Sequence, residues 1–210
     1  MVDIDQVHQL LDTYFDYTGD AEVQKDGSVN VQGDVVLLKS PPNGIIPIKF
    51  GVVDGEFKAI SKQLTSLLNT PDTCDSLIVY SNYLSSLEHV TPYLNILDVE
   101  NNKLTSFKHG PEQVSIIKAS INPLTSLEGL PEDQDIPYDI SLIYNDHLPL
   151  LRLVSADIVH VGSPGGGYAR LKPFEPVNTI INKYTGQGKA GAIKAAAELV
   201  KAGFKDNARW

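Results

Sequence analysis

One six-residue phrase recurs at a spacing of twenty, and that spacing limits the possible folds more than any other feature of the chain. Asn82-Tyr83-Leu84-Ser85-Ser86-Leu87 returns as Asn102-Lys103-Leu104-Thr105-Ser106-Phe107, then as Asn122-Pro123-Leu124-Thr125-Ser126-Leu127. A fainter copy, Lys62-Gln63-Leu64-Thr65-Ser66-Leu67, comes before them. A looser one with an insertion, Asn145-Asp146-His147-Leu148-Pro149-Leu150-Leu151, comes after. Pro71, Pro92, Pro111 and Pro131 keep the same phase. A unit this short cannot bury its apolar side chains alone, so a fixed period of this length implies coils stacked into a solenoid.

Measured back from Asn82, Asn102 and Asn122, the chain fits the leucine-rich pattern L-x-x-L-x-L-x-x-N-x-L, with a short strand before each asparagine. The inward positions are then Cys74, Leu77, Val79 and Leu84; Leu94, Leu97, Val99 and Leu104; Val114, Ile117, Ala119 and Leu124. Val35/Leu37, Phe57/Ala59 and Ile140/Leu142 extend the pattern, giving about six coils of short parallel strands. Asn82, Asn102, Asn122 and Asn145 read as structural residues. A buried carboxamide both donates and accepts, so it can satisfy the backbone where a coil turns inward. The Thr/Ser-Ser pairs suit the same turn.

A solenoid needs closing at both ends. Ile4, Val7, Leu10, Leu11, Tyr14 and Phe15 recur at helical spacing from Asp3 to about Asp16, and Asp3 with Gln6 resembles a capping box. Thr18-Gly19-Asp20 is expected to end this helix. Alternation around Asp26-Gly27 then predicts a hairpin over 22–31. At the other end, Val177–Tyr184 and Lys189 to about Lys201 read as helices, with Gly203 as a C-cap. The expected organisation is a helix and hairpin cap over 1–33, a solenoid over 34–161 and a helical cap over 170–210. In fold-class terms this is an α/β-type repeat.

At 42% hydrophobic and 20% charged residues the chain is neither disordered nor membrane-like. A single cysteine, Cys74, leaves no intramolecular disulfide, and the acidic start carries no secretory pattern. The expected address is a reducing cytoplasm, with no membrane. Net charge is −9 and unevenly placed. Residues 170–210 hold eight Lys/Arg and three Asp/Glu, whereas residues 1–169 hold nine and twenty-three. The acidic body disfavours nucleic acid and suits a basic protein partner, although solubility alone would also explain it.

Catalytic patterns are not found. Ser163-Pro164-Gly165-Gly166-Gly167 lacks phosphate-loop spacing and reads as a connection to the C-terminal cap. Gly186-Gln187-Gly188-Lys189 is a weak anion signal. His8, His89, His109, His147 and His160 have no metal-ligand spacing, and the pair His89/His109 reads as equivalent turn positions. Cys74 reads as an inert packed thiol. Carboxylates on a coil surface are expected to stay in water with ordinary acidity. No cofactor, metal or catalytic residue is expected.

Between the inward residues, alternate strand positions line the outer face of the ladder. One row reads Lys58, Ile78, Asp98, Lys118, Ser141, and the next reads Ile60, Tyr80, Glu100, Ser120, Ile143. Ile96, Ile116, Ile121 and Tyr144 flank them. Apolar anchors inside a polar frame have the composition of a protein-binding patch. Cover by the C-terminal segment or by a second copy is the alternative.

Several segments together are similar to leucine-rich-repeat-like proteins of tailed bacteriophages and bacteria. They are Val31-Gln32-Gly33-Asp34-Val35, Ile48–Phe57, the L-T-S-L repeats, Leu148–Arg152, Gly188–Leu199 and Asn207–Trp210. The resemblance covers most of residues 28–210 and departs from the pattern where Lys62 replaces the asparagine. It implies a binding scaffold with no catalytic motif, phage-encoded and acting on a bacterial host protein in the host cytoplasm, with a defence factor among the targets. The expected function is therefore a non-enzymatic protein-interaction module that engages a host or phage protein. A self-assembling structural protein, pairing copies through the ladder face, is the alternative.

Overall fold

The computed structural model describes residues 3–131, 139–142, 148, 160–161 and 175–209. Their backbone forms a β-solenoid of about five turns of parallel strands with helices at its ends. Helix α1 (Ile4–Tyr14) leads directly into β1 (Phe15–Tyr17), followed by β2 (Ala21–Val23), β3 (Val29–Val31), β4 (Val35–Leu37) and β5 (Phe50–Lys58). The stack continues through β6 (Thr73–Ile78), β7 (Tyr93–Asp98), β8 (Gln113–Lys118), β9 (Asp139–Ser141) and β10 (His160–Val161). Helices α2 (Glu175–Tyr184) and α3 (Gly188–Lys201) complete the described elements. Among the described residues no helix is long and apolar enough to cross a membrane.

The sheet runs β1-β4-β5-β6-β7-β8-β9-β10. Every pair from β4 to β10 is parallel, whereas β1 joins β4 antiparallel. Six strands, β4 to β9, stand where the period places them, and six strands bracket five returns rather than six coils. All the inward positions named from the sequence are buried, as are Val35, Leu37, Phe57, Ala59, Ile140 and Leu142. Each fully buried Leu, Ile or Val contributes about 2 kcal/mol relative to exposure.

Two rows of left-handed residues turn the coils. Ser61, Ser81, Asn101 and Ile121 have φ between 52° and 58° just after the strands, and Asn69, His89, His109 and Gly129 have positive φ before the next ones. Asparagine, histidine and glycine tolerate this region better than most residues, which explains two histidines twenty apart without a metal. Ser66, Ser86, Ser106 and Ser126 each accept from the backbone N–H two residues on, at 3.0–3.4 Å.

The buried asparagines tie one coil to the last. Asn82 Oδ1 accepts from Lys62 N (2.9 Å) and Leu64 N (3.0 Å), while Nδ2 donates to Ala59 O (2.7 Å) and Val79 O (2.9 Å). Asn102 and Asn122 repeat the pattern on Leu84 N and Leu104 N, each at 3.0 Å. Where Lys62 stands in place of asparagine, its Nζ donates to Leu38 O at 2.7 Å, so the backward bond survives in a longer side chain. Asn145 lies outside the described residues.

The N-terminal end is built differently. The expected helix stops two residues early, and Phe15–Tyr17 becomes a strand that the period did not reveal. Phe15 is buried against Phe50 (ring centroids 5.0 Å), which packs on Phe57 (5.2 Å), so burial of one aromatic pulls the chain out of the helix. Antiparallel β1 thereby covers the free side of β4. Asp3 caps the helix by accepting from Gln6 N at 3.2 Å. The hairpin forms between β2 and β3, and β3 joins the first half of β5 while β4 joins the second. A bulge between Val53 and Glu56 separates the halves. The chain passes close to Asp34 at Gly55, where a Cβ would meet Asp34 Oδ1 and the Gly33 carbonyl.

At the far end α2 contacts β10, and Asn207 Nδ2 donates to Leu148 O at 3.1 Å. Helix α3 ends at Gly203 in a Schellman arrangement, with Phe204 N donating to Leu199 O and Gly203 N to Val200 O.

Candidate protein-interaction face

The strand register assembles the outer face of the ladder. Lys58, Ile78, Asp98, Lys118 and Ser141 are successive partners across β5 to β9 and form one row. Glu56, Ser76, Ile96, Ile116 and Asp139 form the row on its N-terminal side. Ile60, Tyr80, Glu100 and Ser120 follow on the other side, linked by Ser61 N to Tyr80 O, Ser81 N to Glu100 O and Asn101 N to Ser120 O. Ile143 and Tyr144, assigned to the same surface from the sequence, lie outside the described residues.

Strands about 4.8 Å apart hold the side chains of each row at fixed separations. Ile60, Ile78, Ile96, Ile116 and Tyr80 are half-buried, as are Lys58, Glu100 and Lys118. The short polar residues are buried outright: Ser76, Asp98, Ser120 and Ser141. Ser120 and Ser141 share a hydrogen bond at 2.9 Å between their Oγ atoms. Lys58 pairs with Glu56, whose bond raises its pKa.

Asp98 corrects the expectation that ladder carboxylates stay in water. Only 5% exposed, it stands between Ile78 and Lys118 across the ladder, with Ile96 and Glu100 two residues before and after it along the chain. Burial pushes its carboxyl from 3.8 up to about 6, and nearby Glu100 pushes the same way. The Glu100 backbone N–H (3.3 Å) and the Lys118 ammonium (3.7 Å) offset only part of this. A short acidic side chain in a row of longer neighbours is the signal that marks it in sequence.

Elsewhere, the buried thiol of Cys74 is pushed up to about 12, chiefly by burial and then by Asp75, which leaves it a neutral packing group. His8, His89 and His109 are exposed, and His147 lies outside the described residues. Among the described residues no group of three or more His, Cys, Asp or Glu could hold a metal ion. Gly186 and Gly188, both with positive φ, shape the turn between α2 and α3. The glycine-rich run beginning at Ser163 lies outside the described residues.

Two features went unread in the sequence. Ile121 occupies a left-handed position at φ 57° while 51% exposed, where its counterparts are Ser61, Ser81 and Asn101. On α3, Ile193 (65%) and Val200 (53%) face outward on a helix whose composition had suggested only a cap.

Fold and face together define a β-solenoid bearing a ladder of mixed apolar and charged side chains around the buried carboxylate of Asp98. No protein-family model, curated protein or solved structure matches the chain.

Proposed function

We propose that this chain is a leucine-rich-repeat-like, non-enzymatic module that binds another protein through the ladder face formed by Lys58, Ile60, Ile78, Tyr80, Ile96, Asp98, Glu100 and Lys118. The observation that carries the reading is the row through Asp98. A carboxyl pushed up to about 6 by burial costs stability when it ionises, and such costs concentrate at surfaces that do something other than hold the fold together. Half-buried isoleucines and Tyr80 around it supply apolar anchors, and single charges of both signs supply selectivity. The leucine-rich class is supported by the twenty-residue period and by the asparagine bonds between coils. From the resemblance, the partner is a bacterial host protein that a phage-encoded chain inhibits or redirects, with a defence factor as the target class.

The test compares wild type with a Tyr80→Ala/Ile96→Asp variant of matched thermal stability in a pull-down from bacterial lysate, followed by calorimetry with the purified partner. One protein retained by wild type and bound at least about tenfold more weakly by the variant is the expected result. Equal retention by both removes the ladder face as the contact. If neither retains a protein and wild type alone sediments as a dimer, the ladder pairs copies of the chain instead.

A further inference from the structure

We infer that the two ends of the chain bind each other between copies, the exposed face of α3 docking on the acidic α1 of the next molecule, head to tail. Helix α3 buries Ala192, Ala195 and Leu199 on one side. On the other, Ile193 and Val200 are 65% and 53% exposed, with exposed Ala190 and Ala197 continuing the stripe. The outer face of a terminal cap is ordinarily polar, because its task is to end the stack. Here it is apolar and ringed by the exposed Lys189, Lys194 and Lys201. The nearby carboxylate, Glu198, is already held by Lys183 Nζ (2.9 Å) and Tyr184 Oη (2.7 Å).

The other end presents the complement. Residues 1–34 contain eight Asp/Glu and one Lys, against six Lys/Arg and three Asp/Glu in residues 175–209. Helix α1 buries Val7 and Leu11 and turns outward the exposed Asp5 and Asp12, with Ile4 46% exposed beside them. Asp5 and Asp12 are seven residues apart, and so are Lys194 and Lys201. Seven residues are two helical turns, about 10.5 Å. Helices laid side by side at about 8–10 Å therefore bring both carboxylates to both ammonium groups at once. The stripe supplies apolar burial, while the charges supply orientation and a fast encounter.

The contact cannot close within one molecule. Helix α1 lies by β1 at one edge of the sheet and α2 contacts β10 at the other, about 34 Å away across seven strand spacings. Because the two faces differ, the association is heterologous and runs on as a row of copies rather than stopping at a pair. It uses neither Asp98 nor the ladder face, so its failure and that of the ladder reading are separate events.

The experiment is sedimentation velocity on the full chain over a range of concentrations at low and high salt. Wild type is expected to gain mass with concentration and to lose that gain in high salt. Lys194→Glu/Lys201→Glu and Asp5→Lys/Asp12→Lys, each with unchanged circular dichroism, are expected to associate at least about tenfold more weakly. An equimolar mixture of the two variants should recover the mass, because one then has two acidic ends and the other two basic ones. A wild type of constant monomer mass, a reversal without effect, or a mixture that stays monomeric overturns the inference. So does binding of monomeric wild type to anionic phospholipid vesicles that Lys194→Glu/Lys201→Glu abolishes, which would assign the α3 face to a lipid surface.

Discussion

The coils from Lys62 to Pro131 and the segment from Phe15 to Lys58 reach equally complete burial by opposite means. In the coils the same few contacts recur: an asparagine bonded back to the preceding coil, a serine turn and two left-handed residues per return. The N-terminal segment keeps the strand period in β4 and β5 but lacks the asparagine phrase. It relies on three packed phenylalanines, a hairpin and a reversed strand. Repetition extends a stack but cannot finish it, since every coil leaves the face the next one needs. The terminal coil therefore has to be met by residues outside the pattern.

This contrast can be broken most directly at Phe50. Truncation to alanine in the fully buried aromatic row should cost about 4 kcal/mol in urea unfolding. A cost below about 1 kcal/mol would mean that the hairpin, not the aromatic row, holds that end. Asn102→Ala should cost about 3 kcal/mol, because it strands Leu84 N, Val79 O and Val99 O in the core. Lys62→Ala, which removes an exposed version of the same backward bond, should cost at most about 1 kcal/mol. Equal costs at the two positions would show that the carboxamide is not the unit of coil-to-coil cohesion.

At Asp98 the effect has the opposite sign. Its folded pKa lies above the ordinary value, so the protonated form is favoured by folding. That contribution is complete below about pH 4 and lost as the pH rises through about 6, leaving a penalty of about 3 kcal/mol at pH 8. Asp98→Asn should therefore melt higher than wild type at pH 8 and level with it near pH 4. A difference independent of pH would remove burial as the cause. The smallest effect is expected at Ile121, whose replacement by the asparagine found one coil earlier should relieve about 1 kcal/mol of backbone strain. It should raise the melting temperature by a few degrees.

What the sequence disclosed follows the same division. Leu77, Leu97 and Ile117 occupy one position three times over, so phase alone makes them inward residues. The strand at Phe15 carried no such signal. It continues a helical spacing, and only the distant Phe50 decides that it leaves the helix. On the ladder face the rows were legible because register follows from the period. The burial of Asp98 was misread as exposure, although the longer Ile78 and Lys118 beside it in the row carried the signal. Ile143, Tyr144 and Asn145 stay outside this comparison.

The asparagine bonds also give the stack a direction in time. Asn82 serves backbone groups of the coil before it, at Lys62, Leu64 and Ala59, and Asn102 does the same for Leu84 and Val79. A coil leaving the ribosome therefore lacks its own fastening until the following twenty residues have emerged. During synthesis the chain should consolidate one repeat behind its growing end. Arrested nascent chains that hold Asn102 just inside and just outside the ribosomal exit tunnel should accordingly differ in protease resistance around Leu84.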